Sequence, residues 1–426
     1  MFHMGVFTSF KPPEWAGTWS GDTDVTWSNG YFWVDMVKAL ERAKFDYVIF
    51  EDSSMVSDAY GGTMDNDLKY ALYAPKHDPM MLVPLLARHT SSIGLIATGS
   101  TTLLPPWHLA RTLATLAHIS HGRSGWNIVT TSEDRAAQNY GLPKLPEHDD
   151  RYTMAEEFVQ VVTELLGAWE PDALVMDRET NVYVDHTKVH PINFEGTYHR
   201  SRGPLNTLAP PAGRPVYCQA GSSPRGRDFA ARYADTILVS AHGLDEMKTY
   251  RADLRRRLEE AGRDPDSCKI MFVLAPTLGA TGQEAREKKA RAHRQVEAAL
   301  GSLAAITEID FSVFDLDAPL PPATTNGHAG YLKEFARVGE QHATLREHIQ
   351  NWSISCLDLV GSPAEVAGQM AEAMDYVGGD GFLLAGIGSR RYLTEITEGL
   401  AAELSTGGAT RTEYVSTTLR ENLMSF

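Results

Sequence analysis

Five consecutive residues in the stretch EHDDRYTMAEEF carry side chains able to do chemistry: His148, Asp149, Asp150, Arg151 and Tyr152. An imidazole can move a proton near neutrality, carboxylates can hold a cation, and a phenol can hydrogen-bond an anion. Read as a helix from about Thr153 to Trp169, the segment lines up Met154, Phe158, Val161, Leu165 and Trp169 as one apolar stripe. Tyr152 lies about 200° around the axis from Met154, at roughly 100° per residue, and so faces away from the stripe. If the turn extends back, His148 stands one turn earlier and joins it there. Asp149 and Asp150 suit an N-cap and a first turn, and Arg151 suits the surface or charge balance. Neighbours at a helix start diverge, and there is no H-x-H or H-x-x-x-H partner, so no metal site is expected. His148 and Tyr152 are left without a structural purpose.

Other stretches pose similar questions. In QAGSSPRGRDFAARYA, an apolar run ends at Gly221, Ser222 and Ser223, and Pro224 follows at a first helical position. A helix start with free amides and two hydroxyls can bind phosphate. The loop AGIGSRR, with Gly386, Gly388, Ser389, Arg390 and Arg391, is a rival phosphate site, and the residues alone leave the two even. VIFEDSSM ends a run in Glu51 and Asp52, of which alternation lets at most one face inward. Phe7, Phe10, Trp15 and Trp107 lie at or beyond the ends of such runs, where they could wall a pocket for a planar or greasy ligand.

These residues need elements to hold them. Eight short β-rich runs recur along the chain: FHMGVFT, DYVIFED, IGLIATGS, SGWNIVT, PVYCQAG, ADTILVS, KIMFVLAP and GFLLAG. Most are almost continuously apolar and alternate with helical patterns such as YFWVDMVKALERAK, which implies parallel strands covered on both faces. Eight units predict an α/β fold, a TIM-type (β/α)8 barrel forming a single domain over 1–426. Two intervals exceed one crossover helix, about 131–214 and 277–380, and read as insertions at the C-terminal mouth. The second contains DLDAPLPPATTNGHAGY, a Pro/Gly-rich candidate for a mobile lid. Barrel chemistry sits at the strands' C-terminal ends, which nominates Asp52, Thr98, Ser100, Asn127 and Gly221 to Ser223 among others.

Bulk composition narrows the options. The chain of 426 residues has 55 acidic and 39 basic residues, a formal charge of −16, so neither nucleic acid nor an anionic membrane is an expected partner. Cys218, Cys268 and Cys356 form no C-x-x-C pair, which argues against a disulfide framework and for a reducing compartment. The start MFHMGVFTSF has no basic leader, and no apolar run approaches the ~18 residues of a membrane span, so a cytoplasmic location is expected.

Taken together, ATGSTTLLPPWHLARTLATLAHISHGRSGWNIVTT, EHDDRYTMAEEF, RGPLNTLAPPAGRPVYCQAGSSPRGRDFAARYAD and RTEYVSTTLRENL resemble the flavin-dependent monooxygenases of the bacterial-luciferase superfamily. The resemblance is to the group of nitrilotriacetate, dibenzothiophene-sulfone and long-chain alkane monooxygenases. It implies reduced FMN delivered by a separate NAD(P)H-dependent flavin reductase, dioxygen as co-substrate, and a homodimer or homotetramer. It further implies that Asp52 and Thr98 contact the flavin, that His148 and Tyr152 match a flavin-binding pair, and that Ser222 and Ser223 contact the phosphate. His148 would also be the catalytic residue, managing a proton. Two departures stand out: His121 occupies the first glycine position of the family's S-G-G-R, and Glu51 stands where an alanine commonly precedes the aspartate. Walls of Phe7, Phe10, Trp15 and Trp107 suggest an apolar, aromatic, sulfur-containing or halogenated substrate. The alternatives are deazaflavin-dependent hydride transfer on the same barrel, or a flavin-binding barrel without turnover.

Overall fold

The computed structural model describes residues 1–13, 26–292 and 295–426. All eight apolar runs become parallel strands: β1 His3–Ser9, β2 Tyr47–Glu51, β3 Gly94–Ser100, β4 Ser124–Val129, β5 Val216–Ala220, β6 Thr236–Val239, β7 Lys269–Leu274 and β8 Gly381–Leu384. Each pairs with the next in chain order, and β8 returns to β1 from His3↔Gly381 to Val6↔Leu384, closing the barrel. The expected (β/α)8 barrel is therefore the fold.

The helices that position the site are α1 Tyr31–Arg42, α2 Pro79–His89, α3 Pro106–Ile119, α4 His148–Leu166, α5 Pro224–Tyr233 and α6 Leu244–Glu260. After β7 come α7 Val296–Thr307, α8 Ala329–Gly339, α9 Leu345–Asn351 and α10 Pro363–Val377. Alternate strand residues fill the interior, among them Tyr47, Ile49, Ile96, Cys218, Met271 and Leu383. Leu419 and Leu423 of a short C-terminal helix join this cluster. Leu419 lies so close to Gly94, the first residue of β3, that no Cβ fits there. The barrel is thus plugged at the N-terminal ends of its strands, which leaves the opposite end for a site.

Between β4 and β5, α4 packs against both α3 and α5. The rest of that interval holds two small antiparallel ladders, Leu174–Asp177 with Val182–Val184 and Phe194–Glu195 with Arg200–Ser201. Helix α4 begins at His148, earlier than its apolar stripe suggests. Its N-cap is Glu147, without a side-chain bond, so the aspartates serve the first turn and not the cap. Between β7 and β8, α7 to α9 gather a separate small core around Leu300, Leu303, Phe311, Leu332, Phe335 and Trp352.

Candidate active site

Strand β5 ends at Ala220, and the turn Gly221-Ser222-Ser223 leads straight into α5. Ser223 caps that helix: its Oγ accepts from the Gly226 N–H at 3.0 Å, and Pro224 occupies the first helical position. Other first-turn N–H groups have no partner within the helix and lie at its positive end. Tyr152 of α4 reaches the same turn. A Cβ on Gly226 would stand 2.9 Å from Tyr152 Oη and 3.1 Å from Ser223 Oγ, so this position has no room for a side chain. Burial raises the Tyr152 phenol above its ordinary pKa, against the pull of Arg151, Ser223, Gln219 and Arg225, so it stays protonated and able to donate. Gln219 Nε2 lies 3.4 Å from Tyr152 Oη, while Gln219 Oε1 is buried with no hydrogen-bond partner among the described residues. The His148 ring lies 5.1 Å from that of Tyr152, and its Nδ1 is 2.7 Å from Asp149 Oδ1.

The next polar group lies at the ends of β2 to β4. Thr98 Oγ1 donates to the Phe50 carbonyl at 2.7 Å and therefore accepts from Asn127 Nδ2 at 2.9 Å. That fixes the Asn127 amide and leaves its Oδ1 buried with no partner among the described residues. On β2, Glu51 shares the inward face of Tyr47 and Ile49. Its carboxylate accepts from Ser9 Oγ at 2.5 Å and from Lys76 Nζ at 2.9 Å. Burial opposes the Glu51 charge, yet Lys76 and Ser9 hold its pKa below the ordinary value. Asp52, just past the strand, takes a hydrogen bond from the Ser53 N–H. Burial pushes its pKa up to about 7, with Glu51 and Asp78 adding to the rise and Lys76 opposing it.

Asp52 follows β2, Thr98 lies near the end of β3, Ser222 and Ser223 follow β5, and His148 and Tyr152 stand on α4, between β4 and β5. The rival loop after β8 is otherwise engaged. Ser389 caps a short helix, Arg390 pairs with Asp35 at 2.7 Å, and Arg391 pairs with Glu395 at 3.0 Å. Three of the four aromatics fall within the described residues. Phe7 packs against the barrel interior. Phe10 is buried against Trp27, Trp33 and His77. Trp107 sits at the start of α3 with its Nε1–H directed at the Pro204 carbonyl, 3.5 Å away, and Trp15 lies outside the described residues.

Arg151 corrects the sequence reading. Of the two roles given it there, surface or charge balance, the first falls: it is 1% exposed, donating to the Pro146 carbonyl at 2.7 Å and the Asn326 carbonyl at 3.0 Å. Gln219 and Lys76 were also missed. Gln219 hides inside an apolar strand, and Lys76 lies in a loop whose path to Glu51 no local pattern reveals.

The donors and acceptors form a pattern. Hydroxyls and helix amides collect at Ser222, Ser223 and Tyr152, while two buried acceptors, Gln219 Oε1 and Asn127 Oδ1, lack donors among the described residues. An anionic group suits the first set, and a body carrying O–H or N–H groups suits the second. FMN has both parts, so the residues present fit it. Among the described residues no group of three or more His, Cys, Asp or Glu could hold a metal ion, and no helix is long and apolar enough to cross a membrane.

Residues 2–381 match the family described as luciferase-like monooxygenase. Dibenzothiophene-sulfone monooxygenase from Rhodococcus erythropolis (strain XP) is 32% identical, with 99% of this chain and 96% of that protein covered. Nitrilotriacetate monooxygenase component A from Aminobacter aminovorans is 32% identical over 92% of this chain and 89% of its own. A crystal structure of a riboflavin lyase, with modified FMN and riboflavin, superimposes with a TM-score of 0.91 at 32% identity, covering 100% of this chain and 96% of that one. The closed barrel, the donor turn at the head of α5 and these full-length likenesses converge, and the chain belongs to the luciferase-like family of flavin-dependent monooxygenases.

Proposed function

We propose that this protein is the oxygenase of a two-component system, taking reduced FMN from a separate NAD(P)H-dependent flavin reductase and oxygenating a small organic substrate with dioxygen. The observation that carries this reading is the turn at Ser222 and Ser223, met by Tyr152 and bordered by the orphaned Gln219 acceptor. The likeness to a protein named as component A of a monooxygenase supports a second component.

Reduced FMN supplies the electrons that activate dioxygen, so the chain needs neither a nucleophile nor a metal of its own. Its residues bind, orient and exclude water. Ser222, Ser223 and Tyr152 would donate to the phosphate, and Gln219 Oε1 would accept from a hydroxyl of the adjoining sugar-alcohol chain. Asp52, Thr98 and Asn127 would place the ring system. His148 has Nδ1 engaged by Asp149, which leaves Nε2 to hold or move a proton beside the phosphate turn.

The mouth also bears on the substrate. Phe7 supplies an apolar surface, but Glu51 and Lys76 put a partly buried ion pair on the rim where a purely greasy ligand would need apolar contact. The substrate this favours has an apolar or sulfur-bearing centre to be oxidised together with a polar group. The test supplies NADH, a flavin reductase and FMN under oxygen-18 gas to a panel of thioethers, sulfones, alkanes and aminopolycarboxylates. One labelled oxygen per product molecule supports the reading. Bound FMN with no labelled product from any class would favour a flavin-binding barrel without turnover.

A further inference from the structure

Strands β1 and β2 end side by side, with Ser9 opposite Glu51 in register. Alternation from Phe7 on one strand, and from Tyr47 and Ile49 on the other, turns both side chains into the barrel mouth. Ser9 Oγ donates to Glu51 Oε2 at 2.5 Å, and Lys76 Nζ donates to both carboxylate oxygens at 2.9 Å. The carboxylate is thus held by both oxygens in one orientation. The two charged partners are not equally reachable. The Lys76 side chain is 4% exposed and that of Glu51 is 25% exposed, so a molecule in the mouth meets the carboxylate and not the ammonium.

Lys76 has nothing left to offer an anion. An ammonium carries three N–H donors. Two go to Glu51 and the third to Ser53 Oγ at 2.7 Å, while the ring of Tyr73 covers the group from 5.1 Å. Lys11, the other cation acting on Glu51, donates to the Leu72 carbonyl. On the acceptor side there is room. Among the described residues Glu51 Oε1 accepts from Lys76 alone, which leaves it a lone pair for one more donor.

The surrounding charges favour a donor as well. Burial raises both Asp52, to about 7, and Glu133, which is 6% exposed; Glu51 adds to each rise and Lys76 opposes it. A positive group entering here would meet Glu51 and let Asp52 ionise beside it, whereas a carboxylate would be repelled. An ion pair taken this far out of water is also a poor source of stability compared with apolar packing, so stability does not account for its presence where the family commonly has alanine.

We infer that Glu51 is the specificity-determining acceptor of the mouth, taking a hydrogen bond from an ammonium or hydroxyl group that the substrate carries away from the atom to be oxygenated, with Lys76 as its positioning residue. This role rests on the oxygenase reading above and names the polar group that the reading leaves open. It ranks substrates by their far end: ammonium first, then hydroxyl, then methyl, and carboxylate last.

The test compares thioethers of matched length, each with a methylthio group at one end and an ammonium, hydroxyl, methyl or carboxylate group at the other. Each is supplied with NADH, a flavin reductase and FMN. Wild type should favour the ammonium and hydroxyl ends over the methyl end by about tenfold in kcat/KM, chiefly through KM, and should use the carboxylate least. Glu51→Ala combined with Lys76→Met removes the pair together and should bring the first three ends to within about twofold of one another. Glu51→Gln keeps the shape without the charge and should lower the ammonium preference about fivefold, which tests the role even if the double variant does not fold. Equal use of all four ends by wild type, a preference for the carboxylate, or a wild-type ranking kept by both variants would refute the role of Glu51 while leaving the oxygenase reading intact. No product from any of the four, when the labelled-oxygen panel does yield product, overturns this inference alone; no product from that panel either means that the oxygenase reading has failed and takes the inference with it.

Discussion

Asp52 should make the stability of this protein depend on pH in a way that one substitution removes. Burial moves its pKa from 3.8 to about 7. That is roughly three units at about 1.4 kcal/mol each, or about 4 kcal/mol in favour of the neutral acid. The sign follows from proton binding. Between pH 4 and 7 the folded state holds a proton that the unfolded chain has released, so the penalty is greatest above pH 7 and fades as pH falls toward 4. Asn keeps the shape and cannot ionise. Asp52→Asn should therefore gain about 2 to 3 kcal/mol more, relative to wild type, at pH 8 than at pH 5. Paired urea titrations at the two pH values read this difference, and groups common to both proteins cancel. An Asp52→Asn effect of equal size at pH 5 and pH 8 would refute the reasoning and return Asp52 to an ordinary solvated acid.

Further predictions concern the two departures from the family pattern. Glu51→Ala strips the partner from Lys76, whose side chain is 4% exposed, and should cost about 3 to 5 kcal/mol of stability; Glu51→Ala with Lys76→Met should recover most of it. A double variant no more stable than Glu51→Ala would show that the pair is not the source of the loss. His121, exposed, holds φ at 54°, in the left-handed region. His121→Gly relieves about 1 to 2 kcal/mol of strain and adds somewhat less unfolded-state entropy, for a net gain of up to about 1 kcal/mol by the same titration. A loss of stability would mean that the imidazole makes a contact worth more than the strain.

The barrel was legible because strands covered on both faces leave continuous apolar runs, and that signal is local. The binding corner was legible in part for the same reason. A proline at the first helical position after two serines marks the head of α5, whereas Tyr152, read as facing away from the apolar stripe of α4, is 7% exposed and lies in the main core with Ala155, Val159 and Val162. What escaped depends on distant partners. Arg151 looks like a surface charge until Asn326, 175 residues on, supplies its acceptor. Lys76 and Glu51 are joined across a loop with no periodicity, and the segment ending in NGHAGY looks structureless although it starts α8. Phe10 and Trp107 follow strand ends as pocket residues would, yet ring packing with Trp27 and Trp33 claims one and Pro204 the other.

The central claim is that Ser222, Ser223 and Tyr152 hold the phosphate of reduced FMN. Its most direct test is anaerobic equilibrium titration of wild type, Tyr152→Phe and Ser223→Ala with reduced FMN. Each variant removes one hydroxyl from a charged acceptor and should weaken binding by about 1 kcal/mol or more, roughly fivefold or greater. Affinity unchanged in both variants would contradict the account.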